Sequence, residues 1–443
     1  TITANGNVTQ GSFGPFAREE GYWGVDFDGS GNNQLRTTGV LTPASTPTTI
    51  ECWVFPRTSS VIGLFDGGDG ETSILRNYEA NKIAKQGQEN TAAALSLSVN
   101  SWSHLAIVVQ SGVIKIYTNG INTSNGSYTG TIGNGNTFSI GTINGGADGK
   151  FNGIISNFAA YNTAVYTSNF TPPTAPTTAI TATKLLTCQS NRFVDNSAAG
   201  RTIAVSGAPA VTSFGPFLTS TVYDAAVNGA SAYFDGNVDR LHTPEDASTR
   251  VAASNFTFEA WVYPTTTTTS QKMIFTQGAP GVYSPFNVYV QGTTVRIYIS
   301  TNGTSWNIAS NSTSSNSVQI NAWNHISLVR NGTTIGLYIN GVADNTYAVS
   351  TTAFFTPTRE TSVGGRDGEE YFPGYITDAR LVIGTAVYTS AFTPPTAPLT
   401  AITNTKLLLN MADGQAIDNT AQRNLSLENG TNISTAQAKF GNS

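Results

Sequence analysis

Phe256-Thr-Phe-Glu-Ala-Trp-Val-Tyr-Pro264 places Phe256, Phe258, Ala260 and Val262 on one face of an extended chain. Thr257, Glu259, Trp261 and Tyr263 fall on the other. Both sets are mostly apolar, which predicts a strand covered on each side. A sister run, Ile50-Glu-Cys-Trp-Val-Phe-Pro56, occurs earlier in the chain. The blocks around the two runs also agree in order. Phe27-Asp-Gly29 answers Phe234-Asp-Gly236, and Trp102-Ser-His-Leu105 answers Trp323-Asn-His-Ile326. Tyr117-Thr-Asn-Gly120 answers Tyr338-Ile-Asn-Gly341. Asn-Gly supplies the left-handed backbone of a type I′ turn, so each copy predicts a tight hairpin.

The agreement extends to Thr163-Ala-Val-Tyr-Thr-Ser-Asn-Phe-Thr-Pro-Pro-Thr-Ala-Pro176. This stretch returns as Thr385–Pro398, a period of 222 residues (385 − 163). A shorter block occurs three times. Lys184-Leu-Leu runs through Asp195-Asn-Ser to Phe214-Gly215, and Lys406-Leu-Leu runs through Asp418-Asn-Thr and Leu425-Ser-Leu to Phe440-Gly441. Thr1-Ile-Thr-Ala to Phe13-Gly14 is the same block without its first half. This pattern predicts a piece of a longer repeat array. Its expected division is a first sandwich over 1–176, lacking its opening strand, and a linker over 177–183. A second sandwich over 184–398, a linker over 399–405 and the opening of a third repeat over 406–443 would follow. The prolines of 171–176 and 393–398 cannot join a ladder and predict short, stiff connections.

Charged residues make up 11% of the chain against about 25% in ordinary globular proteins, and Thr, Ser, Asn and Gly fill the vacated surface. β-Branched and turn-forming residues of this kind suit strands and loops. No sustained helical period with caps occurs. Many short strands between Gly and Asn turns predict an all-β jelly roll. The net charge is −5, with no basic stripe, which argues against a nucleic-acid surface. No apolar run has the length to insert in a membrane as a helix. Cys52 and Cys188 have no partner within their own repeats, so two buried free thiols are expected.

The string Lys-Leu-Leu…Asp-Asn-Ser/Thr…Phe-Gly…Phe-Asp-Gly…Phe-Glu-Ala-Trp-Val-Tyr-Pro…Trp-Asn-His-Ile…Leu-Tyr-Ile-Asn-Gly resembles the laminin-G-like, concanavalin-A-like jelly-roll family, twice over. The Thr-Ala-Val-Tyr-Thr-Ser stretch resembles repeats in structural proteins of marine bacteriophages. The first resemblance implies two tandem antiparallel β-sandwiches, with each Lys-Leu-Leu block contributing a strand to the sandwich that follows it. Members of the family bind glycans, proteins or calcium.

A retaining glycanase on this architecture needs two carboxylates reaching one glycosidic bond. Glu51 and Glu259 are the best candidates, and no second acid alternates with either, so a non-enzyme is expected. His104 and His325 occupy equal repeat positions and read as structural, held by backbone; His242 has no repeat partner. Three histidines and no cysteine cluster exclude a zinc site. Asp28, Asp148, Asp235 and Asp367 stand beside Gly at matched positions, and Asp66 and Asp69 flank a Gly pair. Such loops can hold calcium, although Asp-Gly also simply makes turns. A sugar platform needs a flat aromatic with polar neighbours. Trp306, in an insertion the first repeat lacks, Tyr283, Tyr371 and Tyr78 fit that pattern; covering a strand edge is the alternative. Three functions follow: adhesion to a host-surface glycan, a structural spacer among other virion proteins, or a glycan depolymerase. Unequal loops on a shared scaffold favour the first. No cofactor beyond possible calcium is expected. A virion-surface or extracellular location and a homo-oligomer or repeat assembly complete the expectation.

Overall fold

The computed structural model describes residues 2–40, 47–68, 75–130, 132, 137–143, 148–217, 225–278, 281–351, 353–355 and 358–411. The chain forms two compact units, Arg18–Val222 and the combination of Thr1–Ala17 with Tyr223–Ser443. Each is an antiparallel two-sheet β-sandwich. The tandem all-β organisation is as expected from the sequence.

In the second sandwich, one sheet runs Thr9–Gly11, Ser231–Asp235, Pro373–Ile383, Phe256–Pro264, Asn324–Asn331, Thr334–Ile339 and Val342–Ala348. Thr405–Leu409 also pairs with Pro373–Ile383. The opposing sheet runs Thr3–Asn5, Arg240–Thr243, Thr361–Val363, Lys272–Thr276, Phe286–Gln291, Thr294–Ile299 and Ala309–Ser317. The first sandwich repeats this order from its own residues, with Thr48–Pro56 in the place of Phe256–Pro264.

The strand Phe256–Pro264 is buried along its whole length. Its alternation divides as the pattern predicts. Phe256, Phe258, Ala260 and Val262 enter the core between the sheets. Thr257, Glu259, Trp261 and Tyr263 face outward and would meet water, but two other segments cover them. One is the Pro-rich stretch after the last long strand. Within it Tyr388 and Phe392 stack at 3.6 Å, as Tyr166 and Phe170 do in the first sandwich. The stretch is therefore a strap lying on the sandwich, whereas the sequence reading made it a spacer between sandwiches. The other cover is the Phe-Gly-Pro-Phe element. Phe13 meets Tyr263 and Trp323 at 5.1 and 5.6 Å, and Phe16 meets Trp261 at 5.8 Å. Phe214 and Phe217 make the same contacts with Phe55, Trp102 and Trp53.

This packing corrects the expected domain boundaries. The block after Lys184 does not open the next sandwich; it closes the one before it. Thr183–Thr187 pairs with Asn152–Tyr161, Ala204–Ser206 with Gln34–Thr37, and Ala210–Thr212 with Gly24–Asp28. Nor does the N-terminal block belong to residues 18–176. Thr3–Asn5 pairs with Arg240–Thr243 and Thr9–Gly11 with Ser231–Asp235, while Ile2 joins the second core. The physical reason is that the outer face of each central strand needs the two phenylalanines as a lid, and the short strands that precede them pair with the edge strands of the same sandwich. The expected opening of a third repeat falls, after Met411, outside the described residues.

Both Asn-Gly hairpins form as predicted, with positive φ at Asn119, Gly120, Asn340 and Gly341. The asparagine side chain also accepts from the backbone N–H of His104 or His325, at 2.9 Å in each copy. A Cβ at Gly341 would lie 1.8 Å from the Phe392 carbonyl oxygen, beneath the strap. Cys52 and Cys188 are free and buried, and burial pushes both thiol pKa values up. Among the described residues, no helix is long and apolar enough to cross a membrane.

Gly341 and Gly292 share a left-handed backbone, φ 77 and 60, but nothing lies within 4 Å of a Cβ at Gly292. Gly292→Ala should therefore cost only the conformational strain of about 1–2 kcal/mol. Gly341→Ala must also displace the strap and should cost more, measured by denaturant unfolding. Equal losses would contradict the strap's close seat.

Candidate functional site

Strand alternation builds the floor of a cleft on the second sandwich. In Phe286–Gln291 and Thr294–Ile299, the residues Val288, Val290, Val295, Ile297 and Ile299 point into the core. Tyr289 and Tyr298 must then point outward. Three loops rise around them and enclose about 290 Å³ lined by Tyr283, Tyr298, Trp306, Gln271, Arg366 and Glu370, among others.

Trp306 stands at the centre. Its ring meets Tyr283 at 5.0 Å and Tyr298 at 5.1 Å, both edge-to-face, and Tyr298 meets Tyr289 at 5.5 Å. The loop carrying Trp306 is braced by its own side chains. The Asn302 carboxamide oxygen accepts from the Thr304 and Ser305 amides at 3.0 Å. The Asn307 side chain bonds Thr301 twice, at 2.9 and 2.8 Å. Gly303 passes against the Phe355 ring, where a Cβ would sit 2.6 Å from it. Short local bonds of this kind hold a loop in one conformation without a buried core of its own.

The polar wall is Arg366 with two carboxylates. Its guanidinium lies 2.6 Å from Glu369 and 2.7 Å from Glu370. Burial raises the Glu370 pKa, aided by the Glu369 charge and opposed by Arg366. Gln271 donates to the Tyr298 hydroxyl at 2.7 Å and to Asn311 at 3.0 Å. Aromatic edges and faces beside fixed polar groups can stack on a pyranose and exchange hydrogen bonds with its hydroxyls.

Trp306 and Tyr283, proposed from sequence, thus come together. Tyr371 is half-buried and packs on Gly365, where a Cβ would meet its ring at 2.7 Å. Tyr78 lies on the first sandwich, 37% exposed, beneath the Arg76 guanidinium at 4.1 Å. Sequence reasoning passed over Tyr289, Tyr298, Gln271, Arg366 and Glu370. The alternation in Thr294-Val-Arg-Ile-Tyr-Ile299 was the available signal for Tyr298, since its apolar partners demand the core.

Three of the four Asp-Gly positions lead into turns, and Asp148 is the exception. Asp28 accepts from the Ser30 amide at 2.8 Å and from Asn33 at 2.6 Å, which lowers its pKa. Asp235 accepts from the Asn237 amide at 2.7 Å. Asp367 lies 3.3 Å from Arg240, with its side chain 74% exposed. Asp148 is exposed at the start of a short strand. Asp66 is buried and accepts from the Gly68 amide at 3.1 Å, whereas Asp69 lies outside the described residues. Among the described residues, no three His, Cys, Asp or Glu side chains converge as metal ligands do.

Glu51 and Glu259 sit elsewhere, sealed under the straps. Glu259 receives Arg380 at 2.5 and 2.9 Å, Tyr388 at 2.8 Å and His325 Nε2 at 3.1 Å. Glu51 receives Tyr161 at 2.5 Å and Tyr166 at 2.6 Å, with His104 Nε2 at 3.4 Å. These histidine rings are held by carboxylates, not by backbone as the sequence suggested. The acid lies on the adjacent strand, so no spacing along the chain revealed it. Burial raises the pKa of both glutamates, but the surrounding donors outweigh it and the net shift is downward. The cluster joins strand to strap beneath covering chain, and a polysaccharide cannot reach it.

The profile of the concanavalin A-like lectin/glucanase superfamily, in its laminin-G form, matches residues 27–168 and 235–393. A comparison with curated protein sequences found no match. Among solved structures, domains LG4-5 of the mouse laminin α1 chain are 11% identical, with 85% of this chain and 95% of that one covered and a TM-score of 0.27. A heptameric SAP-like pentraxin from Limulus polyphemus is 15% identical, covering 43% and 94%, with a TM-score of 0.31. Domain 4 of the extracellular GH43 arabinanase AbnA from Geobacillus stearothermophilus, in complex with arabinotriose, is 16% identical, covering 39% and 80%, with a TM-score of 0.28.

One buried acid beside the cluster offers a pH test. Asp378 accepts from the Leu399 amide at 2.7 Å, as Asn157 accepts from Thr177 at 2.8 Å in the first sandwich. Burial, with the nearby Glu259 charge, pushes its carboxyl from the ordinary 3.8 up to about 8. The unfolded chain releases this proton near pH 4 and the folded chain near pH 8. Stability is therefore fully present below pH 4 and falls as pH rises through that window. Asp378→Asn keeps the Oδ1 acceptor and removes the titration. It should stabilise the second sandwich by about 1–3 kcal/mol at pH 8 and change little at pH 4, read by denaturant unfolding. A loss of stability at pH 8 would contradict the assignment.

Proposed function

The chain belongs to the concanavalin A-like lectin/glucanase superfamily, and on that footing we propose that it is a non-enzymatic, glycan-binding adhesion protein that engages its ligand in the Trp306 cleft. The observation that carries this reading is the convergence of Tyr283, Tyr298, Arg366 and Glu370 on Trp306, which stands in a braced loop that the first repeat does not possess. An aromatic ring kept half-exposed by its own loop contributes nothing to a core. It does present a flat apolar face to the axial C–H groups of a sugar, with a carboxylate and a guanidinium placed for the hydroxyls.

Binding is favoured over hydrolysis by the state of the acids. In the cleft, Glu369 and Glu370 are both engaged by one guanidinium, which leaves neither placed as a free nucleophile opposite a general acid. The other candidates, Glu51 and Glu259, are under the straps. The low surface charge and the Thr-, Ser- and Asn-rich exterior suit a location on a virion or another extracellular surface. The resemblance of the straps to marine phage repeats supports a phage appendage meeting a host glycan.

A glycan array, followed by titration of any hit, tests the reading. Trp306→Ala should weaken binding at least tenfold, or about 1.4 kcal/mol, while Tyr78→Ala leaves it unchanged. Silence across the array, or equal binding by Trp306→Ala, would favour a structural spacer. Release of reducing ends would mean that the chain is a depolymerase.

A further inference from the structure

The floor of the Trp306 cleft rests on a line of buried polar side chains whose hydrogen bonds run one way. Thr276 Oγ1 donates to the Asn287 carboxamide oxygen at 2.7 Å. The Asn287 amide donates to the Tyr289 hydroxyl at 3.1 Å, which leaves the Tyr289 O–H to donate to Glu370. Thr276, Asn287 and Tyr289 are all buried. A buried donor without an acceptor is costly, so the line fixes Glu370 as an acceptor. The Arg366 guanidinium at 2.7 Å keeps that acceptor a charged carboxylate at neutral pH, against the pull of burial.

Of the residues lining the cleft, Arg366 and Glu370 carry charge, and Glu369 joins them at the rim. The turn that presents them is closed by two backbone bonds between Arg366 and Glu369, each at 3.2 Å. One guanidinium is thus shared by two carboxylates fixed in the same turn, so negative charge is in excess. A guanidinium bridging two carboxylates has little left for a third. Arg296, which pairs with Tyr289 across the ladder, is turned to Thr313. Gln271 spends both amide donors on Tyr298 and Asn311, so it offers the cleft its carbonyl oxygen. The walls therefore accept hydrogen bonds more readily than they donate them.

We propose that the cleft takes a single sugar unit that carries no negative charge, and that Glu369 and Glu370 exclude uronate, sialate and sulfated units. This selection rests on the reading of the Trp306 cleft as a glycan site and names the class of sugar it accepts. Size sets the first half. A volume of about 290 Å³ lies at the lower end of ligand pockets, about 300–1,000 Å³, so one ring fits and a run of several does not. Charge sets the second half. A hexose and its hexuronate have nearly the same shape, so the carboxylates discriminate between them by repulsion. The hydroxyl donors of the uncharged unit meet Gln271, Glu369 and Glu370, while its C–H face stacks on Trp306.

The test titrates the full chain with glycans that end in a hexose and with the same glycans ending in the matching hexuronate or hexose sulfate. The native chain should bind the hexose-ended members at least about tenfold more tightly. Glu369 is 47% exposed, so Glu369→Gln leaves the core intact. It should narrow the preference by about threefold or more. The double variant Glu369→Gln/Glu370→Gln frees the guanidinium and should favour the acidic ends, since an unshared arginine binds a carboxylate bidentately. Equal or tighter binding of the acidic ends by the native chain would overturn the proposed selection and leave the glycan reading standing. A preference unchanged in Glu369→Gln would overturn it as well. Silence across every glycan, hexose-ended and acidic alike, would sink both readings.

Discussion

A central strand apolar on both faces imposes the constraint on which each sandwich depends. Phe256–Pro264 and Thr48–Pro56 satisfy one face with the core between sheets, as in any sandwich. The outer face carries a tryptophan and a second aromatic, which are costly to leave against water, and an ionised glutamate, which is costly to leave under bare apolar cover. The solution is a composite lid. The strap supplies a tyrosine hydroxyl to the carboxylate, and the Phe-Gly-Pro-Phe element supplies rings to the tryptophan and its neighbour. A buried carboxylate left with one partner too few would be costly. Strap, histidine strand and central strand must therefore close together.

Local features of this arrangement were legible in the sequence, and remote ones were not. The period-2 alternation of Phe256–Pro264, the Asn-Gly turns and the duplication rest on short-range geometry, and each appears where expected. Which sandwich a repeated block completes is a different kind of question. A repeat shows that the block recurs with a fixed period, but period alone is the same whether the block opens the next domain or closes the last. The Lys-Leu-Leu block consequently reads either way, until its pairing with Asn152–Tyr161 decides the matter. The Glu259–His325 pair escaped for a related reason, since it bridges adjacent strands separated by 66 residues.

The cleft shows the same division. Trp306 stood out because an insertion on a shared scaffold marks a place where the two copies serve different ends, and Tyr283 stood out as an aromatic with polar neighbours. Tyr298 could have been found from alternation alone. Arg366 and Glu370 come from a distant turn, which the pairing of Thr361–Val363 with Lys272–Thr276 and the bond from the Met273 amide to the Glu370 carbonyl bring to the cleft rim. Duplication thus leaves two equivalent cores and two equivalent lids, while the loops above the second sheet are free to diverge. The binding function proposed for the Trp306 loop depends on that freedom, and the stability of the floor beneath it depends on the lid.

Peptide-resolved hydrogen exchange of the full chain measures the central claim, that remote segments complete each sandwich, most directly. The account predicts slow exchange in residues 2–14 and 183–212, with protection comparable to that of Phe256–Pro264 and Thr48–Pro56. Random-coil exchange in those two segments, beside protected central strands, would contradict it.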